Sequence, residues 1–302
     1  MFIHVLETAV PVFAALFLGV LCRKKSILSR EGIEALKKTA VDIALPAVLF
    51  SAFASAEYTA QKMLVPLLFF LLCTAALLLG ALLRRALRIE SRLMPYLMTG
   101  FEAGMLGYGL YALLYPGKPN AGFALIDLGQ VLFVFTVYKG LLMGRGSAKK
   151  ALSEALRSPA LWAILAGMLF GASGLTRALT PSGVMGIIEN AASFIAAPTS
   201  CLILLTIGYD LRLAGTPWKR VALYTALRLL VMGCILAALL WLNRHALGGV
   251  MDEAALVLML ILPAPYVLPL FADVEDERTD IASTLSVMTL LCLLAFPLCA
   301  LI

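Results

Sequence analysis

Charged residues are scarce in this sequence of 302 residues. Asp, Glu, Lys and Arg together make up 14% of it, whereas 62% of the residues are hydrophobic and the mean hydropathy is +0.97. Soluble domains contain about 25% charged residues, and no water-soluble core needs this much apolar surface. The composition therefore excludes a soluble globular protein and indicates an integral membrane protein.

Residues that commonly catalyse reactions or bind metals are also few. The two histidines are His4 and His245, and the sequence contains no HExxH, GxSxG or CxxC arrangement. The six cysteines all fall in apolar segments and lack the paired spacing of a disulfide or zinc framework. We therefore predict that the protein is not an enzyme and that it uses no metal and no cofactor.

The apolar residues form long segments separated by short loops. Residues 63–83 and 281–302 run for 21 and 22 residues without a charge, and an apolar helix of about 20 residues spans the hydrocarbon core of a bilayer. The same test, relaxed to admit an occasional polar residue, gives ten segments: 5–22, 34–54, 63–83, 95–115, 121–142, 158–176, 186–208, 218–242, 254–272 and 281–302. The predicted fold class is an all-α integral membrane protein with ten transmembrane helices.

Lysines and arginines predict the orientation of these helices. With the N-terminus outside, 18 Lys and Arg residues lie on the cytoplasmic side and four lie on the other side, as the positive-inside rule requires. Basic helix ends beside anionic lipid explain the net charge of +6. We expect a multi-pass protein of the cell (inner) membrane with both termini outside in the periplasm, whose partner is the lipid bilayer and not nucleic acid.

The two halves of the chain resemble each other at an offset of 152 residues, which aligns LFLGVLC from Leu16 with MLFGASG from Met168. Each half contains five predicted helices, and an odd number forces the second copy to enter from the opposite face. The sequence therefore predicts an inverted repeat of residues 1–142 and 158–302, joined by a cytoplasmic linker at 143–157. Such repeats are widespread among secondary transporters.

Helices 4 and 9 correspond in the two halves, and both contain residues that interrupt helices. These residues are Gly100, Gly104, Gly107 and Gly109 in helix 4, and Pro263, Pro265 and Pro269 in helix 9. Unwound backbone inside a bilayer must be buried in protein or line a cavity, and half-helix N-termini there attract an anion. The sequence predicts a substrate site at these breaks; close glycine packing is the alternative for each glycine singly. Pro46 and Pro198, which match across the repeat, are predicted to kink their helices beside the site.

Three segments carry a resemblance to a known family. LKKTAVDIALPAVLFSAF in helix 2, FEAGMLGYG in helix 4 and STLSVMTLLCLLAFP in helix 10 resemble the auxin efflux carrier family, in its bacterial branch. The resemblance implies the fold of plant PIN carriers and, more distantly, of bile acid:sodium symporters. In that fold a scaffold domain supports a transport domain, crossed helices 4 and 9 hold the substrate, and the cargo of bacterial members is a small organic anion.

The resemblance also implies which residues bind the substrate: Glu102, Gly104, Gly107, Tyr108, Pro265 and Tyr266. This chain departs from the family pattern, which commonly has Asn, then Gly, then Gly-x-Pro in helix 4. Here an acid, Glu102, replaces the usual amide, and a glycine, Gly109, replaces the usual proline.

Polar residues inside the predicted helices are the other candidates. Glu102 would bind a proton, a cation or a cationic substrate group, or would form a structural hydrogen bond to unwound backbone. Asp127 and Gln130 share one face of helix 5, where they would serve proton coupling or helix packing. Arg228 would grip a substrate carboxylate or neutralise Asp127 or Glu102; snorkelling or a structural ion pair is the alternative that we favour.

Two further polar residues are secondary candidates for coupling or for support of the site. Asp42 lies four residues after Lys38, so an i,i+4 ion pair explains it equally well. Asn190 lies near the start of helix 7.

The sequence as a whole predicts a secondary active transporter that moves a small carboxylate-type organic anion, auxin-like compounds included, by alternating access with proton coupling. A sodium-coupled organic anion or amino acid symporter, a channel-like pore, and a sensor or scaffold are the alternatives. The expected partners are a small-molecule substrate and a coupling H+ or Na+. A homodimer is left open.

Overall fold

The computed structural model of the chain describes residues 2–116, 120–142, 153, 156–211, 216–271 and 277–301. Every regular element in these residues is helical, so the all-α class is confirmed. The predicted linker at 143–157 lies almost entirely outside the described residues. The helices are labelled α1 to α10, with letters for the two parts of a divided helix.

The first half of the chain contains five helices or divided helices. They are α1 (Phe2–Lys24), α2 (30–54, composed of Arg30–Thr39, a π-helical turn Ala40–Ala44 and Leu45–Ala54), α3 (Ala60–Ala86), α4a (Met94–Leu97), α4b (Ala103–Leu114) and α5 (Ala121–Leu142). The second half contains α6 (Pro159–Ala172), a short helix Leu175–Leu179, α7 (Val184–Asp210), α8 (Trp218–His245), α9a (Glu253–Ile261), α9b (Leu268–Phe271) and α10 (Arg278–Ala295), which continues as a 3-10 helix, Phe296–Leu301.

Each of the ten predicted apolar segments coincides with one of these helices or divided helices. Among the described residues, α3, α5, α7, α8 and α10 are long and apolar enough to cross a membrane, and α4b and α6 are apolar but shorter. Because α4 and α9 are divided into short pieces, no single piece is long enough to be counted as a membrane-spanning helix. Multiple membrane spans are therefore supported, and the ten-crossing topology stays a prediction.

Proline interrupts both α2 and α7, as the sequence predicts. Pro46 lies two residues after the π-helical turn Ala40–Ala44. Because proline has no N–H and its ring crowds the carbonyl four residues back, the wider turn relieves the clash. In α7 a turn at Ala197 and Pro198 separates Val184–Ala196 from Thr199–Asp210, because Pro198 has no N–H to donate to the preceding turn.

The helices form two bundles. In the first bundle α1 packs along α7, and α2 packs against α6 and α7; in the second, α3 packs on α4a and α5, while α8 packs on α9a and α10. Each bundle takes helices from both halves of the chain, so the spatial division runs across the two sequence halves. The inverted relation of the halves stays a prediction.

The outward faces of both bundles are apolar. Phe194 is 84% exposed on α7 and Leu230 is 62% exposed on α8, and side chains of this kind are stable on a surface only where lipid or protein covers them. The exposed faces therefore fit a protein embedded in a bilayer.

Glycines bring α1 and α7 into backbone contact. A Cβ atom added to Gly208 would lie 2.2 Å from the carbonyl oxygen of Leu16, and one added to Gly19 would lie 2.1 Å from that of Leu205. Carbon and oxygen cannot approach so closely, so any side chain at these positions would push the helices apart. Small residues at such crossings are typical of membrane helices, where close van der Waals packing drives association.

We expect Gly208→Ala to destabilise the first bundle. Overpacking of a tight contact costs about 1–3 kcal/mol in the free energy of unfolding, which would lower the melting temperature of the purified protein in detergent. Gly233→Ala on α8 is the matched control, because nothing lies within 4 Å of a Cβ added there. Equal melting temperatures for the two variants would contradict the close contact of α1 with α7.

Candidate functional site

The break in α4 lies directly against the break in α9. The two breaks comprise residues 98–102 and 262–267, and the backbone N–H of Glu102 donates to the carbonyl oxygen of Pro263 at 2.9 Å. Gly100 has a φ of +64°, and a Cβ there would lie 2.8 Å from Cγ of Pro265. Glycine is therefore required at position 100 both by its backbone conformation and by the proximity of the proline ring.

Glu102 joins the two breaks through its side chain. Its Oε1 accepts a hydrogen bond from the amide of Met105 at 3.0 Å, and its Oε2 accepts one from the amide of Tyr266 at 2.7 Å. The first amide belongs to the start of α4b and the second to the turn that leads into α9b, so one carboxylate caps the N-terminal ends of both half-helices. The amides that the sequence predicts for an anionic substrate are thus occupied by the protein's own acid.

Arg228 of α8 donates hydrogen bonds to the backbone carbonyl oxygens on the other side of the two breaks. Its guanidinium donates to the carbonyl oxygens of Leu97 at 2.6 Å, Gly100 at 2.7 Å and Leu262 at 2.9 Å, with a longer contact to Thr99 at 3.5 Å. The residue is only 3% exposed, so the expectation that it snorkels to a helix end is wrong. Instead, its positive charge lies at the carbonyl-rich C-terminal ends of α4a and α9a, where the helix dipole favours a cation.

A cavity of about 800 Å³ separates the two bundles at the breaks. Its predicted lining residues are Glu102, Gly104, Asp127, Gln130, Pro265, Tyr266 and Pro269. The remaining candidates do not line it: Asp42, Pro46, Gly107, Tyr108, Gly109, Asn190, Pro198, Arg228 and Pro263. Most of the lining residues are aliphatic or aromatic, from α2, α5, α6, α7 and α10, as is usual for small-molecule sites.

Asp127 and Gln130 of α5 line the cavity beside the break in α4. Gln130 Oε1 accepts from the amide of Phe101 at 2.7 Å, which fixes the unwound backbone of α4. Asp127 Oδ2 accepts from the hydroxyl of Tyr108 at 3.1 Å, whereas its buried Oδ1 has no hydrogen-bond partner in the described part of the chain. Tyr108 thus reaches the cavity through Asp127 rather than by lining it.

The glycines of α4b differ in what surrounds them. A Cβ at Gly107 would lie 2.6 Å from Phe123 and 2.8 Å from Leu262, and one at Gly109 would lie 2.8 Å from Ser200, just after Pro198 in α7. Both are packing glycines. At Gly104 the nearest neighbour would be Leu45 at 3.5 Å, so this glycine leaves open space in the cavity.

Two secondary candidates lie outside the cavity. Asp42 is half-buried in the π-helical turn of α2, and the described residues show no ion pair between it and Lys38, although its neighbour Val41 lines the cavity. Asn190 is exposed on α7.

Several other lining residues could not be predicted from the sequence. Thr289 of α10 lies 2.7 Å from the hydroxyl of Tyr266. At the other end of the cavity, Arg30 and Lys37 of α2 lie 2.5 and 3.6 Å from the carboxylate of Asp210 in α7, and Arg30 also lies 2.7 Å from Glu34. We call Arg30, Lys37 and Asp210 the basic mouth of the cavity. Only their proximity in the folded protein identifies them as part of the cavity. In the sequence they are indistinguishable from other charged residues at helix ends.

Within the described residues no group of three or more His, Cys, Asp and Glu side chains is placed to hold a metal ion. The polar groups of the cavity can accept or donate protons and hydrogen bonds. Their arrangement between two bundles suits reversible binding of a small molecule better than a fixed ion site.

Comparison with known proteins also indicates a membrane transporter. The family described as "Membrane transport protein" matches residues 4–143, which confirms the resemblance to auxin efflux carriers that the sequence predicts. A relative from Methanothermobacter thermautotrophicus, described as an uncharacterized transporter, is 24% identical over 303 residues, covering 97% of this chain and 96% of that protein.

We expect Arg228→Met to lower the stability of the protein strongly. The substitution leaves several buried carbonyl oxygens without donors, and each such group costs about 1–3 kcal/mol. Arg228→Lys keeps the charge but offers fewer donors in a less suitable geometry, so its melting temperature should lie between those of the wild type and Arg228→Met.

Arg220→Met on the same helix is the control, since Arg220 makes an exposed pair with Asp280 at 2.9 Å and such pairs contribute little. If Arg228→Met melted together with Arg220→Met, the capping role of Arg228 would be refuted.

Proposed function

We propose that this membrane transport protein is a secondary active transporter that carries a small carboxylate-bearing organic molecule across the cell membrane. The observation that supports this most is the cavity between two helix bundles at the contact of two broken helices. In transporters built this way, movement of one bundle against the other exposes a central site to each side in turn.

The contacts between the bundles favour access from one side at a time. At the basic mouth the cavity reaches the end of the bundles that carries Arg30 and Lys37. Beyond the breaks the bundles touch each other, since Ser200 of α7 lies against Gly109 of α4b and α2 packs on α5. By the predicted orientation, this conformation is open to the cytoplasm and closed to the periplasm.

The basic mouth is the part of the cavity suited to a carboxylate. Glu102 holds the amides of the half-helices, so a substrate carboxylate is not expected there. Lys37 and Arg30 offer cationic donors at the mouth, where both lie close to the carboxylate of Asp210 and Arg30 also pairs with Glu34. A substrate carboxylate would bind there by replacing Asp210 or Glu34 in one of these contacts, since Arg and Lys donate charge-assisted hydrogen bonds to any carboxylate.

Asp127 is the better candidate for proton coupling. Both oxygens of Glu102 accept backbone hydrogen bonds, and these bonds stabilise its ionised form. Within the described residues Oδ1 of Asp127 has no hydrogen-bond partner, and the titratable side chains around Asp127 are Tyr108 on α4b, Glu102 at the break and Cys73 on α3. Sodium coupling and a channel-like pore are the rival mechanisms.

We expect Gly104→Leu to block transport by filling the cavity, while the protein still folds, because a Cβ at this position meets no contact shorter than 3.5 Å. The measurement is substrate exchange into proteoliposomes, with at least a tenfold lower rate expected. Gly186→Leu on the outer face of α7, where nothing lies within 4 Å, is the control. Undiminished and saturable exchange in Gly104→Leu would place the pathway elsewhere, and a current proportional to voltage without saturation would favour a channel.

We expect Asp127→Asn to abolish the response of transport to an imposed pH gradient. Asparagine keeps an acceptor for Tyr108 but cannot take up a proton, so exchange at raised substrate concentration should continue while gradient-driven accumulation is lost. Glu102→Gln, assayed in parallel, should keep the response. Proton coupling through Asp127 would be ruled out by an unchanged gradient response in Asp127→Asn. Accumulation driven by sodium at constant pH would favour the rival symporter.

A further inference from the structure

We infer that the transported molecule carries an ammonium group and that this group binds the carboxylate of Asp127 at the inner end of the cavity. The inference rests on the proposed transport function and specifies its substrate class. Combined with a carboxylate at the basic mouth, it describes a small zwitterion of the amino acid type.

The inner end of the cavity is acidic. Glu102 and Asp127 are the acidic side chains that line it near the breaks. The lining cations Arg30 and Lys37 lie beside Asp210 at the mouth, and Lys37 also interacts electrostatically with Glu102. Arg228 is close in the fold but does not line the cavity, and its guanidinium is bound to backbone carbonyls. A substrate anion entering the inner end would meet like charge, and a cation would meet opposite charge.

The backbone amides that usually attract anions to broken helices already have a hydrogen-bond acceptor in this protein. Half-helix N-termini attract negative charge, but the amides of Met105 and Tyr266 both donate to Glu102. A second carboxylate could bind these amides only by displacing Glu102 into an apolar wall, which is costly for an ionised group. The helix ends therefore select against an anion at this position.

The buried carboxylate of Asp127 needs a hydrogen-bond donor and a compensating positive charge, and an ammonium group would supply both. The residue is only 2% exposed, Oδ2 accepts from Tyr108, and Oδ1 has no donor in the described residues. A buried carboxylate oxygen without a donor is costly, and an ammonium group brings both hydrogen-bond donors and the compensating charge. A proton would satisfy the same oxygen, so proton and amine exclude each other there, which provides a simple basis for exchange of one for the other.

The rest of the cavity fits the remainder of such a molecule. Leu45, Leu49, Val131, Ile164 and Leu285 line the same cavity as the acidic inner end and the basic mouth and give it an apolar wall. The volume of about 800 Å³ is within the range of roughly 300–1,000 Å³ that small-molecule sites occupy. Opposite charges at the two ends thus align a zwitterion along the cavity.

The test compares sets of three compounds that share one side chain and differ only in their charged groups. The sets are alanine, propionate and ethylamine; leucine, 4-methylpentanoate and 3-methylbutylamine; and phenylalanine, 3-phenylpropionate and 2-phenylethylamine. Thermal stabilisation of the purified full-length protein as a function of concentration gives the affinity of each compound. We expect at least one amino acid to bind about tenfold or more tightly than its acid without the amine, as expected for a hydrogen-bonded charge pair.

Asp127→Asn should weaken binding of that amino acid by about tenfold or more and remove its advantage over the matched acid. Asp280→Asn is the matched control, because Asp280 pairs with exposed Arg220 and does not line the cavity. The inference is overturned if the acids bind as tightly as the amino acids, if no compound with an amine binds in any set, or if Asp127→Asn leaves the preference intact.

If the proposed transport function were wrong, the experiments would give a different result from failure of the ammonium inference. Binding with the expected amine preference, but without exchange in proteoliposomes, would disprove transport and leave the binding inference standing. Equal binding of the simple amine and the amino acid would remove the carboxylate from the proposed substrate and keep the ammonium group.

Discussion

Two buried charges hold the broken helices together. An unbroken helix satisfies its backbone internally, but each break inside the membrane exposes carbonyls on one side and amides on the other. Arg228 donates to carbonyls of both first half-helices, and Glu102 accepts from amides at the start of both second half-helices. Since each charge contacts both breaks, α4 and α9 are joined at their weakest points. The cavity exists because this junction allows unwound backbone to remain at membrane depth.

The tightness of packing differs within and between the bundles. Within the first bundle, glycines 19 and 208 bring backbones into contact, and within the second, Gly129 does the same against Pro66. Between the bundles a cavity interrupts the contact on the side of the basic mouth. Tight interiors resist deformation, whereas a partly open interface can change with little loss of contact. The distribution of packing therefore suits rigid bundles that move relative to each other.

Much of this could be predicted from the sequence, and the limits have physical causes. Glycines and prolines act locally, so the breaks in α4 and α9 are visible in the chain itself. The spacing of Asp127 and Gln130 correctly predicts that they share a face. The role of Arg228 could not be predicted, because a long side chain can reach in several directions and its partners are backbone carbonyls 34 to 131 residues away. Thr289 and the basic mouth depend on helices meeting in space, and residue type alone gives no sign of that.

Glu102 shows how one substitution changes the chemistry of a site without changing its architecture. A neutral amide side chain at this position could accept only one of the two backbone hydrogen bonds with its oxygen, and its NH2 group would point toward the other amide. The helix ends would then keep part of their positive character and could bind an anion. A carboxylate satisfies both amides and adds a negative charge. The same broken helices that attract anions elsewhere therefore form, in this chain, a cavity whose inner end is acidic, and its chemistry follows from the side chain that caps the break.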